Sequence, residues 1–193
     1  MLHFSNLLSL ILVICCIVNL FRNQDLHKLT KTDIFTIITN LIILNCLYRY
    51  ILWGEQSQRF KLFKGNKCIV TIIILILGRF FYEFYFYWYH RLSHRFSYFH
   101  TYHHSSPVYD DHSLALLIAN PVSYFGYYIP ILLIIFFPYH GKIMASFVLM
   151  NGIHGIFYHD NIHHIGHHRD QTINFGITPI VDKLFGTHGN RCK

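Results

Sequence analysis

Eight histidines stand in three tight spacings, and any fold of this chain has to reconcile them with the apolar residues around them. His90 and His94 are four apart, His100, His103 and His104 read H-x-x-H-H, and His164, His167 and His168 repeat that pattern. Each group lies just beyond an apolar stretch. On a helix, residues three or four apart point the same way, so each group aims at least two imidazoles at one place. Left unpaired at a membrane surface they would be costly, and as cations they would repel one another. Metal ligation removes both problems, because the ligand is the neutral ring. Imidazole serves zinc, copper, iron and nickel alike. Eight ligands exceed the four of a structural zinc, so two ions sharing about four each is the natural reading. The Glu-x-x-His of soluble di-iron bundles is absent.

The remainder of the chain is apolar. Hydrophobic residues make up 53% of it and charged residues 13%, about half the roughly 25% usual in soluble domains. A helix needs about 20 apolar residues to cross a bilayer, and Leu2–Phe21, Ile34–Trp53 and Cys68–Tyr89 satisfy that. Leu114–Phe137, broken by Asn120-Pro121 and Pro130, and Ile143–Phe157 read as a helical hairpin with a short returning arm. The fold class expected is therefore all-α, a multi-pass transmembrane bundle of four to five apolar helices with a histidine-rich di-metal site. Residues 1–67 supply N-terminal transmembrane helices and loops, and 68–193 the region that bears the histidine groups. Leu2–Phe21 has neither a basic leader nor a small-residue cleavage site after it, so it reads as a retained span. Arg79 and Glu83, four apart inside the third span, read as a structural ion pair.

Three spans followed by a hairpin place both histidine regions on one side. Nine Lys and Arg fall on that side and five on the other, which makes the histidine side cytoplasmic. The net charge of +7 comes from dispersed basic residues without a run or stripe, so it speaks for membrane orientation and an acidic partner, not nucleic acid. The five cysteines contain no Cys-x-x-Cys and read as buried free thiols. The aromatic run Tyr82–Trp88 suits a substrate path or an interfacial belt.

Taken in order, "YWYHRLSH", "HHSSPVY", "HHIGHHRDQTINFG" and "DKLFGT" resemble the fatty acid hydroxylase/sterol desaturase superfamily of membrane non-haem di-iron oxygenases, from about Tyr82 to Thr187. The resemblance implies O2-dependent hydroxylation or desaturation of a lipid, a fatty acyl chain or a sterol, in lipid biosynthesis. It implies two iron ions, with His90, His94, His100, His103, His104, His164, His167 and His168 as ligands and no catalytic residue assigned beyond the ligands. His163 matches the extra histidine that some members carry before the last group, and His159 resembles a further family ligand. Here only four residues separate His159 from His164, a shorter interval than in most members. Asn120-Pro121 stands where many relatives have His-Pro, and Val181 where many have Trp.

The chain has no dinucleotide fingerprint. The two electrons of such a reaction are therefore expected from a separate cytochrome b5- or ferredoxin-type donor with its reductase. The protein is expected in the bacterial inner membrane or the endoplasmic reticulum, with its site on the cytoplasmic side. The alternatives are a histidine-rich metal transporter and a haem-binding electron carrier. His3, His27, His140 and His188 read as interfacial or loop residues.

Overall fold

A computed structural model describes residues 29–56, 67–105, 117–130 and 162–189. The expected span Leu2–Phe21, the returning arm Ile143–Phe157 and His159 lie outside those residues. Among them the chain is helical and contains no strand. In chain order the helices are α1 (Lys31–Gln56), α2 (Lys67–Arg95), α3 (Ser97–Ser105), α4 (Pro121–Gly126), α5 (Ile162–Arg169) and α6 (Pro179–Leu184). Helix α1 packs on α4, α2 on α3 and α6, and α3 on α4.

A reciprocal cap starts α1. The Thr30 hydroxyl accepts from Asp33 N at 3.1 Å, and Asp33 Oδ2 accepts from Thr30 N at 2.8 Å, the short-range exchange that marks a helix N-terminus. The other oxygen of Asp33 accepts from Tyr102 on α3 at 2.9 Å, so the same carboxylate fixes where α3 lies. Further along α1, the buried Asn40 donates to the carbonyls of Leu117 and Ala119 at 2.8 and 2.9 Å. Both carbonyls belong to the short approach to α4, outside any α-helix, and need a donor once buried.

The apolar stretch from 114 is thus not one continuous helix. Asn120 caps α4, its Oδ1 accepting from Val122 N at 2.9 Å, and Pro121 opens the helix where its missing N–H costs nothing. Gly126 ends it against α2, where an added Cβ would run into the Tyr89 ring. That close approach lets Tyr85 donate to Gly126 O and Tyr89 to Ser123 O.

Helix α2, 29 residues and about 43 Å long, is the central strut. Arg79 and Glu83 pair on it as expected, and Glu83 also accepts from Thr178 N at the start of α6. The aromatic run divides by face. Tyr82 and Tyr87 are buried, whereas Phe84 and Trp88 are exposed. Tyr87 and Trp88 meet Phe185 just after α6, which holds α6 against α2.

No helix among the described residues is long and apolar enough to cross a membrane. Both long helices carry polar side chains at intervals, Thr36, Asn40 and Asn45 on α1 and Arg79 and Glu83 on α2. Cys46 is a free thiol as expected, but it is exposed rather than buried, because α1 turns Leu44 and Leu47 inward instead.

Replacing Asn40 with Leu removes the donor for two buried carbonyls and should lower stability by about 2 kcal/mol. Thermal melting of the purified variant checks this. A melting temperature equal to wild type would contradict the clamp.

Candidate metal centre

Three helices supply the histidines: the last two turns of α2 carry His90 and His94, α3 carries His100, His103 and His104, and α5 carries His163, His164, His167 and His168. A single residue, Phe96, joins α2 to α3, so the first two groups are folded back against each other. Five rings, His90, His94, His100, His104 and His167, bring one nitrogen each within 4.8 Å of one another. His103, His164 and His168 form a second such group. The groups adjoin: the His104 ring lies 4.5 Å from His168, and the His103 ring lies 5.2 and 5.3 Å from His100 and His104.

The bonds on the far side of two rings decide which nitrogens face inward. His90 Nδ1 lies 2.7 Å from Phe175 O, and His167 Nδ1 lies 2.7 Å from Ile173 O. A carbonyl only accepts, so both Nδ1 atoms carry the proton, and in the neutral ring Nε2 is left as a lone pair. Those Nε2 atoms sit 2.9 Å from His100 Nε2 and 2.9 Å from His94 Nε2 respectively. In the second group His164 and His168 bring their Nε2 atoms to 3.0 Å. Imidazole nitrogens sharing one ion at about 2.1 Å are roughly 3.0–3.4 Å apart, so the spacing fits. So does the state of the remaining atoms: His100 Nδ1 and both nitrogens of His104 are buried without a hydrogen-bond partner.

Electrostatics keeps the rings neutral. Burial first, then the imidazoles of His167, His100, His94 and His164, push His90 well below the usual histidine range. Burial lowers His94 to about 4. Burial and His94 together lower His167 to about 3, partly opposed by Ile173 O. His100 and His104 are depressed further, by burial and then by their histidine neighbours. A neutral, inward-facing set of nitrogens is a ligand set ready for a cation.

The backbone carbonyls that orient His90 and His167 come from one loop, Ile173 to Gly176, and Asp182 holds that loop in place. Its Oδ1 accepts from Phe175 N at 2.8 Å and Thr187 Oγ1 at 2.7 Å, and its Oδ2 accepts from Gly176 N at 2.8 Å and His163 Nε2 at 3.1 Å. The peptide between Phe175 and Gly176 therefore gives its N–H to Asp182 and receives the His90 proton on its C=O. Burial alone would raise the Asp182 carboxyl, but the bonds from His163, Thr187 and the two amides outweigh it and hold it below its ordinary value. Gly176 has to be glycine, since a Cβ there would lie 2.8 Å from Asp182 Oδ2 and from Thr178 O. Asn174, at φ 58°, clamps the loop from the other end through Gly189 N and O.

Eight of the ten expected site residues thus converge, in groups of five and three. His163 stands apart, bonded to Asp182 and facing the His188 ring at 5.7 Å. Asp182, Phe175 and Ile173 are supporting residues that spacing arguments on histidine overlooked, although "NFG" and "DKLFGT" contain two of them.

A family model described as Fatty acid hydroxylase matches residues 75–187, more than half of the chain. The chain belongs to the fatty acid hydroxylase family. The match begins on α2 ahead of the first histidines and ends at Thr187, the residue that closes the Asp182 network. No curated protein and no solved structure matches the chain. Membership in this family makes the chain an oxidoreductase and agrees with a metal-binding histidine cluster.

Two outcomes are expected. Asp182→Asn presents an amide N–H to the Gly176 N–H, frees the loop and should weaken metal affinity about 10–100-fold; metal titration of the purified protein reads this, and unchanged affinity would refute the role given to Asp182. The metal-free protein should also lose stability on acidification. His94 and His167 protonate near 4 and 3 when folded against about 6.5 when unfolded. The unfolded chain binds the extra protons, so stability is full above pH 6.5 and falls as pH drops toward 4. A flat melting temperature across that window would count against neutral buried rings.

Proposed function

We propose that this protein is a membrane-bound non-haem di-iron oxygenase that hydroxylates or desaturates a lipid, a fatty acyl chain or a sterol, with O2 and externally supplied electrons. The observation that carries the reading is the pair of adjoining histidine groups, five and three strong, with lone pairs turned inward by backbone carbonyls. His90, His94, His100, His104 and His167 would hold one iron, and His103, His164 and His168 the other. Iron bound there would supply O2 activation, the part of the chemistry that side chains cannot perform.

The chain's own residues supply position. The Ile173–Gly176 loop keeps His90 and His167 in the tautomer whose Nε2 faces the cluster. Phe175, buried and 5.3–5.9 Å from the rings of His90, His94 and His167, limits water on that side. Electrons come from a separate cytochrome b5- or ferredoxin-type donor and its reductase, for which a basic cytoplasmic face is a suitable dock.

Membrane insertion is part of the same proposal, in the bacterial inner membrane or the endoplasmic reticulum with the histidines cytoplasmic. Its support is the exposed apolar surface of the two long helices. Ile34, Phe35, Ile38 and Ile42 on α1, and Ile69, Ile72, Ile76 and Phe80 on α2, are all exposed. A contiguous apolar face of this kind needs lipid or protein against it.

Replacing His103 or His167 with Ala should abolish O2-dependent lipid oxidation and lower iron content, while His3→Ala and His27→Ala should do neither. Elemental analysis and product formation with a supplied donor are the measurements. Full activity in His103→Ala, or active protein with iron well below two per chain, would defeat the di-iron assignment. A Soret band would favour a haem carrier instead, and zinc or copper without oxidation a transporter.

A further inference from the structure

Beside the histidine cluster, on the opposite side of Phe175, lies a recess of about 550 Å³. Trp88, Leu92, Arg91 and Arg95 line it from α2, and Gln171 and Thr172 line it from the turn after α5. Its inner side is closed by the same Phe175 ring that touches His90, His94 and His167. The size is that of a small-molecule site, where a few polar groups orient a largely apolar ligand.

Its charge is unbalanced. Arg91 and Arg95 are four apart on one helix face, where like charges repel. Among the described residues no carboxylate lines the recess. The nearest acid in sequence, Asp170, accepts from Thr172 N at 3.1 Å and Thr172 Oγ1 at 2.5 Å. Arg91 is held in place: it donates to Tyr87 OH at 2.9 Å and lies 5.6–5.9 Å from the rings of Tyr87, Trp88 and Phe175. The Arg95 side chain makes no hydrogen bond or ion pair among the described residues. The dipole of α2 favours a cation in its last turn, but that gives no reason for a second guanidinium opening on a recess with aromatic walls.

An apolar path leads away from the two arginines. Leu92, Trp88, Phe84, Phe81, Leu77 and Ile73 follow one another at intervals of three or four, and every one is exposed. They form one stripe along α2, about 28 Å from end to end, comparable with a long acyl chain.

We propose that this recess seats the anionic headgroup of the substrate lipid, a phosphate or a carboxylate, with the acyl chain lying along the α2 stripe. The inference rests on the lipid-oxygenase reading above and narrows its substrate class to anionic lipids. Arg95 is the adjustable contact and Arg91 the fixed one. Arg91 also heads a directed chain of bonds. It donates to Tyr87, Tyr87 donates to Thr187 Oγ1 at 3.0 Å, and Thr187 donates to Asp182. The headgroup site and the carboxylate that orients His90 therefore share one rigid network.

Binding can be read without turnover. The chain has two tryptophans, so in a Trp53→Phe background fluorescence reports Trp88 alone. The probes are dihexanoyl phosphatidic acid, octanoate, dihexanoyl phosphatidylcholine and inorganic phosphate, titrated into the iron-loaded full chain in detergent. At least one anionic lipid should bind about tenfold more tightly than phosphatidylcholine, and the tighter of the two identifies phosphate or carboxylate. Arg95→Gln should weaken that lipid by about tenfold and leave phosphatidylcholine unchanged, Arg95→Lys should restore most of the loss, and iron content should stay at wild type throughout. Equal binding of anionic and zwitterionic lipids, an unaffected Arg95→Gln variant, or inorganic phosphate binding as tightly as the lipid would each overturn the proposal. The two readings fail separately. Charge-selective binding without iron or product defeats the oxygenase alone, and iron with product but no charge selectivity defeats the headgroup site alone.

Discussion

Two imidazole nitrogens rest 2.9 Å apart in a buried site only with a proton or a cation between them and groups behind them that hold the rings. Here the groups behind are visible. Phe175 O and Ile173 O take the Nδ1 protons of His90 and His167, which commits both Nε2 atoms to the interior. Most of the surrounding architecture follows from this commitment. A carbonyl can hold a ring in one orientation only if its own peptide is immobile, and Asp182 immobilises it with four bonds from the loop, Thr187 and His163. The carboxylate never touches the cluster, yet the tautomer of His90 depends on it through a single peptide group.

That dependence explains why the C-terminal part of the described chain is dense with polar contacts while the long helices are greasy. Residues 173–189 bury Asn174 and Asp182 completely, which is costly unless every polar atom is paired. Most of the pairing is local, among Asn174, Phe175, Gly176, Asp182, Thr187 and Gly189, with one further bond from His163 on α5. This segment docks through rings: Phe175 and Phe185 pack on Tyr87 of α2, and Arg91 lies against the same aromatic surface. Rigid placement of α5 and its loop against α2 is what allows histidines some 70 residues apart to meet with nitrogens at hydrogen-bond separation.

The buried polar groups of α1 do a different job. Asn40 and Asp33 sit on an otherwise apolar helix and bind α4's approach and α3. Each fixes the register of one helix pair, because a shift by one residue would leave a carboxylate or amide buried without its partner. An α1 held only by Ile37, Leu44 and Leu47 could slide against its neighbours at little cost.

The sequence by itself determined which histidines could converge, since i, i+3 and i, i+4 spacing decides which side of a helix a histidine occupies whatever the helix packs against. It also determined the helical class, the Arg79–Glu83 pair and the break at Asn120-Pro121, all set by contacts within a few residues. The division of the eight histidines into five and three was decided only by tertiary structure, because α2, α3 and α5 meet at angles that no spacing encodes. The same holds for His163, whose turn toward Asp182 rather than the cluster depends on where α6 comes to rest. Asp182 and the carbonyls of Ile173 and Phe175 were present in recognisable motifs, but a backbone acceptor has no signature in sequence. Its function exists only once the loop has been folded against the ring it orients.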